Sequence, residues 1–205
     1  MKQIAVLFSL VLATLSYTMA QTNEEAVVNA FKKSYEIEKQ GNYKKAADEL
    51  KKVYSEDSYE INLRLGWLTY NAGLFQESAS YYQKAVTLKP YSEEARFGLI
   101  NPRAAQAKWS EVINIYKKIL EIDPNNTIAN YKLGLIYYGQ KKYSDAKPLF
   151  EKIVNLYPFD HDGLLMLAWT YYYMGQKNKA KVLFYKTLMN NPYDKSAQEG
   201  LSLIK

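Results

Sequence analysis

The sequence predicts an all-α solenoid of antiparallel helix pairs closed by a C-terminal capping helix. Three observations carry this. Four prolines, Pro90, Pro124, Pro158 and Pro192, follow one another at intervals of 34 residues. Two residues after each stands a side chain suited to capping a helix start, Ser92, Asn126, Asp160 and Asp194, and Ser58 extends the series one step backward. Between one proline and the next, apolar residues recur at helical spacing in two runs. A proline disfavours α geometry in its predecessor and so stops a helix. The capping oxygen accepts a hydrogen bond from an orphan amide of the first turn and so starts the next one. A stop and a start recurring at one period mean stacked, similar units.

The first twenty residues read differently from all that follows. Lys2 supplies a positive start, and Ile4 to Leu15 is an almost unbroken apolar stretch of twelve residues. As a helix it covers only about 18 Å, too short for a bilayer core of about 30 Å. Thr18-Met19-Ala20 offers small residues where a signal peptidase reads. Residues 1–20 are therefore expected to be a cleavable signal peptide removed after Ala20, leaving a periplasmic or secreted chain that begins at Gln21. No later apolar stretch is long enough to span a membrane, and the absence of cysteine suits a bacterial envelope protein.

The units then follow in order. Residues 21–58 form a degenerate first repeat: Thr22 and Glu25 make a capping box, Val27, Val28, Phe31 and Tyr35 give one helix its stripe, and Gly41, Tyr43, Ala46, Leu50 and Val53 mark the second. The unit 59–92 carries Leu65-Gly66, Ser78, Tyr82, Ala85 and Pro90. The unit 93–126 is looser, keeping Leu99, Tyr116 and Pro124 but placing Ile100, Arg103 and Val112 at other marker positions. The unit 127–160 shows Leu133-Gly134, Tyr137, Ala146, Phe150 and Pro158. The unit 161–194 shows Leu164, Leu167-Ala168, Tyr171, Ala180, Phe184 and Pro192. Small residues in these sets let two helices approach, and the large ones fill the space beside them. Residues 195–205 have room for one helix, with Ala197, Leu201 and Ile204 on one side, which reads as a cap over the last unit.

These sets closely resemble the tetratricopeptide repeat, of the secreted or periplasmic bacterial kind. The resemblance covers nearly all of the chain after residue 20. It implies a right-handed superhelix and a scaffold or binding protein rather than an enzyme, with no cofactor. It also implies a concave groove lined by the first helix of each pair at the fifth, ninth and twelfth places. Here those places hold Phe31 and Tyr35; Leu63, Trp67 and Tyr70; Phe97, Asn101 and Ala104; Tyr131, Leu135 and Tyr138; and Leu165, Trp169 and Tyr172. Glu38 is the one charged exception. Two readings of this apolar set stand open: a ligand groove, or area that neighbouring first helices and the cap bury against one another.

Composition narrows the chemistry. The chain has no cysteine and a single histidine, which excludes disulfides and thiolate metal sites and leaves little for an imidazole-based one. Its net charge is +6, but only Arg64, Arg96 and Arg103 are arginine, a poor set for nucleic-acid recognition. Asp160-His161-Asp162 reads as a helix cap and a first-turn acid rather than a catalytic or metal site. Paired lysines such as Lys44-Lys45 and Lys117-Lys118 fall mostly on second helices and read as a solvated outer face. Groups that clamp a peptide carboxylate in some members of the family are absent here except for Asn101.

Two ligand classes remain. The favoured one is another protein of the envelope, held as a helix or extended peptide by apolar packing. The alternative is a glycan stacked on Trp67, Trp169 and the tyrosines. Pro102, inside the first helix of the third pair, either ends that helix early or marks a notch beside Asn101 and Ala104.

Overall fold

A computed structural model of the chain describes residues 24–204. The expected signal peptide 1–20, the start at Gln21 and the Thr22 capping box lie outside the described residues. Among the described residues every regular element is an α-helix. Packing divides the chain into two compact units, one ending at Ala107 and the other beginning at Lys108. The division falls inside the loosest of the repeats.

Unit 1 holds α1 (24–38), α2 (Tyr43–Lys51), α3 (Tyr59–Asn71), α4 (Phe75–Leu88) and α5 (Glu93–Ala105). Helix α2 has 9 residues where α4 has 14. The next cap, Ser58, arrives early, so Val53 lies beyond the end of α2, in the turn. Ala30, Ala46, Ala47 and Leu50 pack with Ile61, Leu65 and Leu68 in one buried cluster. Tyr82 of α4 is 5% exposed because its ring fills a slot between two glycines. A Cβ on Gly66 of α3 would lie 2.8 Å from that ring, and one on Gly98 of α5 would collide with it outright.

Pro102 does not end its helix. Helix α5 keeps the 13 residues of α3 and carries the proline buried within it. The ring removes one amide donor, yet the last turn still closes through the Gln106 amide on the Pro102 carbonyl at 3.2 Å. A second interior proline, Pro148, is likewise accommodated in the helix Tyr143–Leu156, on an exposed face.

Unit 2 holds α6 (Trp109–Ile122), α7 (Thr127–Gly139), α8 (Tyr143–Leu156), α9 (His161–Tyr173), α10 (Lys177–Asn190) and α11 (Lys195–Ser202). Each helix packs on the next in sequence from α6 onward, and α11 lies against both α10 and α9, as a cap should. Phe150 and Phe184 are fully buried. The Phe150 ring lies 2.7 Å from where a Cβ on Gly134 would sit, and the Phe184 ring leaves no room for one on Gly200 of the cap. The aromatic place that Tyr82 fills in α4 is kept by Tyr116 in α6 and filled by phenylalanine in α8 and α10.

The capping residues behave as the spacing predicts. Ser58, Ser92, Asn126, Asp160 and Asp194 accept from the amides of Ile61, Ala95, Ala129, Gly163 and Ala197 respectively. A second device is also periodic. Asn62, Arg96, Asn130 and Gln198, each on the first turn of its helix, donate a side-chain hydrogen bond to the carbonyl six residues earlier, on Glu56, Pro90, Pro124 and Pro192. Leu164 occupies the equivalent place in the first turn of α9 and cannot donate; there Asn190 reaches back to the Phe159 carbonyl at 2.7 Å. The turns inside the pairs share one left-handed residue: Gly41, Gly73 and Gly175 have φ of 75–77°, and Ala107 and Lys141 adopt 56° and 59° without being glycine.

A charged aromatic groove in unit 1

The first helices of unit 1 bring part of the predicted groove set together. Phe31 and Tyr35 of α1 and Leu63 and Trp67 of α3 line a groove of about 610 Å³. Trp67 keeps 42% of its surface exposed and Tyr35 48%, so two large rings face the opening. Tyr70, Phe97 and Asn101 lie outside this lining: Tyr70 packs on Phe75 with ring centroids 5.6 Å apart, Phe97 is half-buried and Asn101 is exposed. Ala104 is half-buried on α5, which runs through Pro102 to Ala105, so the early helix end is not found.

The groove is less apolar than its repeat places suggest. Arg64, Tyr59, Glu60, Tyr82 and Glu94 line it as well. Arg64 pairs with Glu38 and lays its guanidinium 3.9 Å from the centre of the Tyr35 ring. The indole of Trp67 donates to the other Glu38 oxygen at 2.8 Å. Hydrogen bonding from Arg64 above all, joined by that from Trp67, holds the Glu38 carboxyl below the usual carboxylate range against the opposing effect of burial. The Nε of Arg64 is buried with no partner among the described residues. On the other side of the groove the Tyr59 hydroxyl contacts Ser92 Oγ at 2.8 Å and donates to Glu94 at 3.2 Å.

The corresponding residues of unit 2 do something else. Trp169, expected as a groove wall, is only 9% exposed: it packs edge-on to Phe184 at 5.0 Å and donates its indole N–H to Ser196 of the cap at 2.8 Å. The cap shields this residue, as one of the two sequence readings allowed. Tyr172 stands edge-on to Trp169, and Tyr131 stands edge-on to Phe150. Tyr138 contacts Tyr143 and Tyr173, which stack on each other at 5.0 Å with planes 9° apart. Leu135 and Leu165 are half-buried against the same core. These rings are largely satisfied by one another.

His161 has a structural place. Its two ring nitrogens lie 2.9 Å from Asp162 and 3.0 Å from Asp194, the residue that caps α11. The hydrogen bond to Asp162 foremost, with the charge of Asp194, raises its pKa. In unit 1 Tyr59, the first residue of α3, bridges in the equivalent way to Ser92, the cap of α5. Among the described residues no three His, Asp or Glu side chains are grouped to hold a metal ion, and no helix is long and apolar enough to cross a membrane.

No curated protein shows a significant match to the chain in sequence. Solved structures do match in fold. A tetratricopeptide repeat protein from Parabacteroides merdae aligns over 88% of this chain and 72% of its own at 20% identity, with a TM-score of 0.73. MamA aligns over 83% and 97% at 21% identity, TM-score 0.71. YrrB, a TPR protein with an unusual peptide-binding site, aligns over 91% and 97% at 14% identity, TM-score 0.70. Three tetratricopeptide repeat family models match residues 38–93, 103–163 and 162–192, together well over half of the sequence. With the capped helix pairs and their 34-residue spacing, these matches place the chain in the tetratricopeptide repeat family.

Proposed function

We propose that the chain is a non-catalytic interaction scaffold of the bacterial cell envelope, and that the groove of unit 1 holds a peptide or helix of another protein. The observation that carries this is the groove itself: exposed rings of Tyr35 and Trp67 and the Leu63 side chain over an anchored Arg64–Glu38 pair. Apolar walls with a few fixed polar groups are what a peptide side chain needs for burial and orientation. The peptide-binding site named for YrrB, a protein of similar fold, supports the same reading. The envelope location rests on the signal-like residues 1–20. A glycan is the second reading, favoured by the polar groups that flank Trp67, since sugar sites set hydroxyl partners beside aromatic faces.

The test is a photo-crosslinking amino acid placed at Leu63 in cells, with the same group at exposed Lys117 as the control. A protein adduct formed from position 63, absent from 117 and lost with Trp67→Ala, is the expected result. Adducts equal at both positions, or retention on a glycan array that depends on Trp67 with no protein adduct, would refute the peptide groove.

A further inference from the structure

The groove carries an unbalanced charge. Its lining holds one base, Arg64, against Glu60 and Glu94, and the base is already committed to Glu38 and to the face of Tyr35. Glu60 accepts from the Ser58 hydroxyl and Glu94 from the Tyr59 phenol, both at 3.2 Å, and neither has a basic partner among the described residues. Two carboxylates thus line an aromatic groove on a chain whose net charge is +6. Arg64 shows what such surroundings hold well: a cation over a ring and paired with a carboxylate. The Tyr59–Glu94 side offers the same chemistry, ring and carboxylate together, without a cation of its own.

We propose that this groove selects a cationic side chain, a lysine or arginine of the bound peptide, seated beside Glu60 and Glu94 against the exposed face of Trp67. The inference rests on the peptide-binding reading above and names its specificity. It is the opposite of a carboxylate clamp: the protein supplies the acids and the ligand supplies the base. A like-charged ligand group would meet Glu60 and Glu94 without compensation, so the same pair that attracts a base rejects an acid.

The experiment uses an array of synthetic twelve-residue peptides of random composition, probed with the processed chain, with Trp67→Ala and with the double variant Glu60→Gln/Glu94→Gln. The strongest peptide is then titrated beside a copy in which its lysine is norleucine or its arginine citrulline. Bound peptides are expected to be enriched in Lys and Arg, and neutralising the base is expected to weaken binding about tenfold at low salt. The double variant, melting as the wild type does, is expected to bind the charged and neutral copies alike. Peptides bound through Trp67 with no preference for bases would overturn the charge specificity and leave the peptide groove standing. Peptide binding indifferent to Trp67→Ala, or none at all, would instead remove the peptide groove itself.

Discussion

Lys141 and Ala107 hold a left-handed backbone that glycine holds in the three equivalent turns. A Cβ in that region costs about 1–2 kcal/mol, so Lys141→Gly is expected to raise stability by up to about 1 kcal/mol after the extra chain entropy of glycine is counted. The urea midpoint at unchanged slope reads this directly. Gly98 is the reverse case. Alanine is the better helix former by about 1 kcal/mol, yet Gly98→Ala drives a Cβ into the ring of Tyr82 and is expected to destabilise unit 1 by about 1–3 kcal/mol. Gly66 and Gly134 were legible in the sequence because they sit at a marker position of the repeat. Gly98 and Gly200 were not, because the ring each one accommodates comes from the repeat before it, and spacing along one helix carries no trace of that contact. Arg64 was missed for a related reason. It sits one residue from the groove place Leu63, and its partner Glu38 belongs to the preceding pair.

At the level of elements, caps and turns were readable because one residue and its local amide decide them, whereas the fate of a whole face depended on what lay over it. Trp67 and Trp169 occupy the same repeat place, but α11 covers only the second, and its Ser196 takes the indole N–H. Pro102 shows the converse: an interior proline costs a regular helix about 3 kcal/mol, yet α5 runs through it with the ring buried. Leu133 of α7 is 2% exposed, and Leu133→Asp would bury a carboxylate with no partner. A loss of about 3–5 kcal/mol is expected, read as a lower melting temperature by circular dichroism. The cap should also respond to pH. Because Asp162 and Asp194 raise the pKa of His161, the protonated imidazole favours the folded state. Its contribution is complete below the unfolded value of about 6.5 and fades as pH rises through the higher folded value. Amide exchange in α11, compared with that of His161→Gln at each pH, is expected to show protection lost on the alkaline side in the wild type only.

For the whole molecule, export is the first thing to measure. The intact mass of chain recovered from a bacterial envelope fraction is expected to correspond to a start at Gln21, and a mass retaining residues 1–20 would withdraw the envelope location. The periodic return of a first-turn side chain to the carbonyl six residues earlier has a different consequence, one for the chain's length. Removing 161–194, one period, joins Asp160 to Lys195. Asp160 then stands where Asp194 stood before Ala197, Gln198 comes into reach of the Pro158 carbonyl instead of that of Pro192, and Gly200 meets Phe150 in place of Phe184. The N-cap, the return to the proline carbonyl and the glycine–ring fit thus each have a substitute already in place, while Leu135, at the place of Trp169, offers Ser196 no donor, so the excised chain is expected to fold with its cap docked but less firmly. An excision of one residue more or fewer offers none of these substitutes. The number of repeats is thereby a quantity that duplication or loss of whole periods can change while the cap, the carbonyl return and the glycine–ring fit that close the chain are kept.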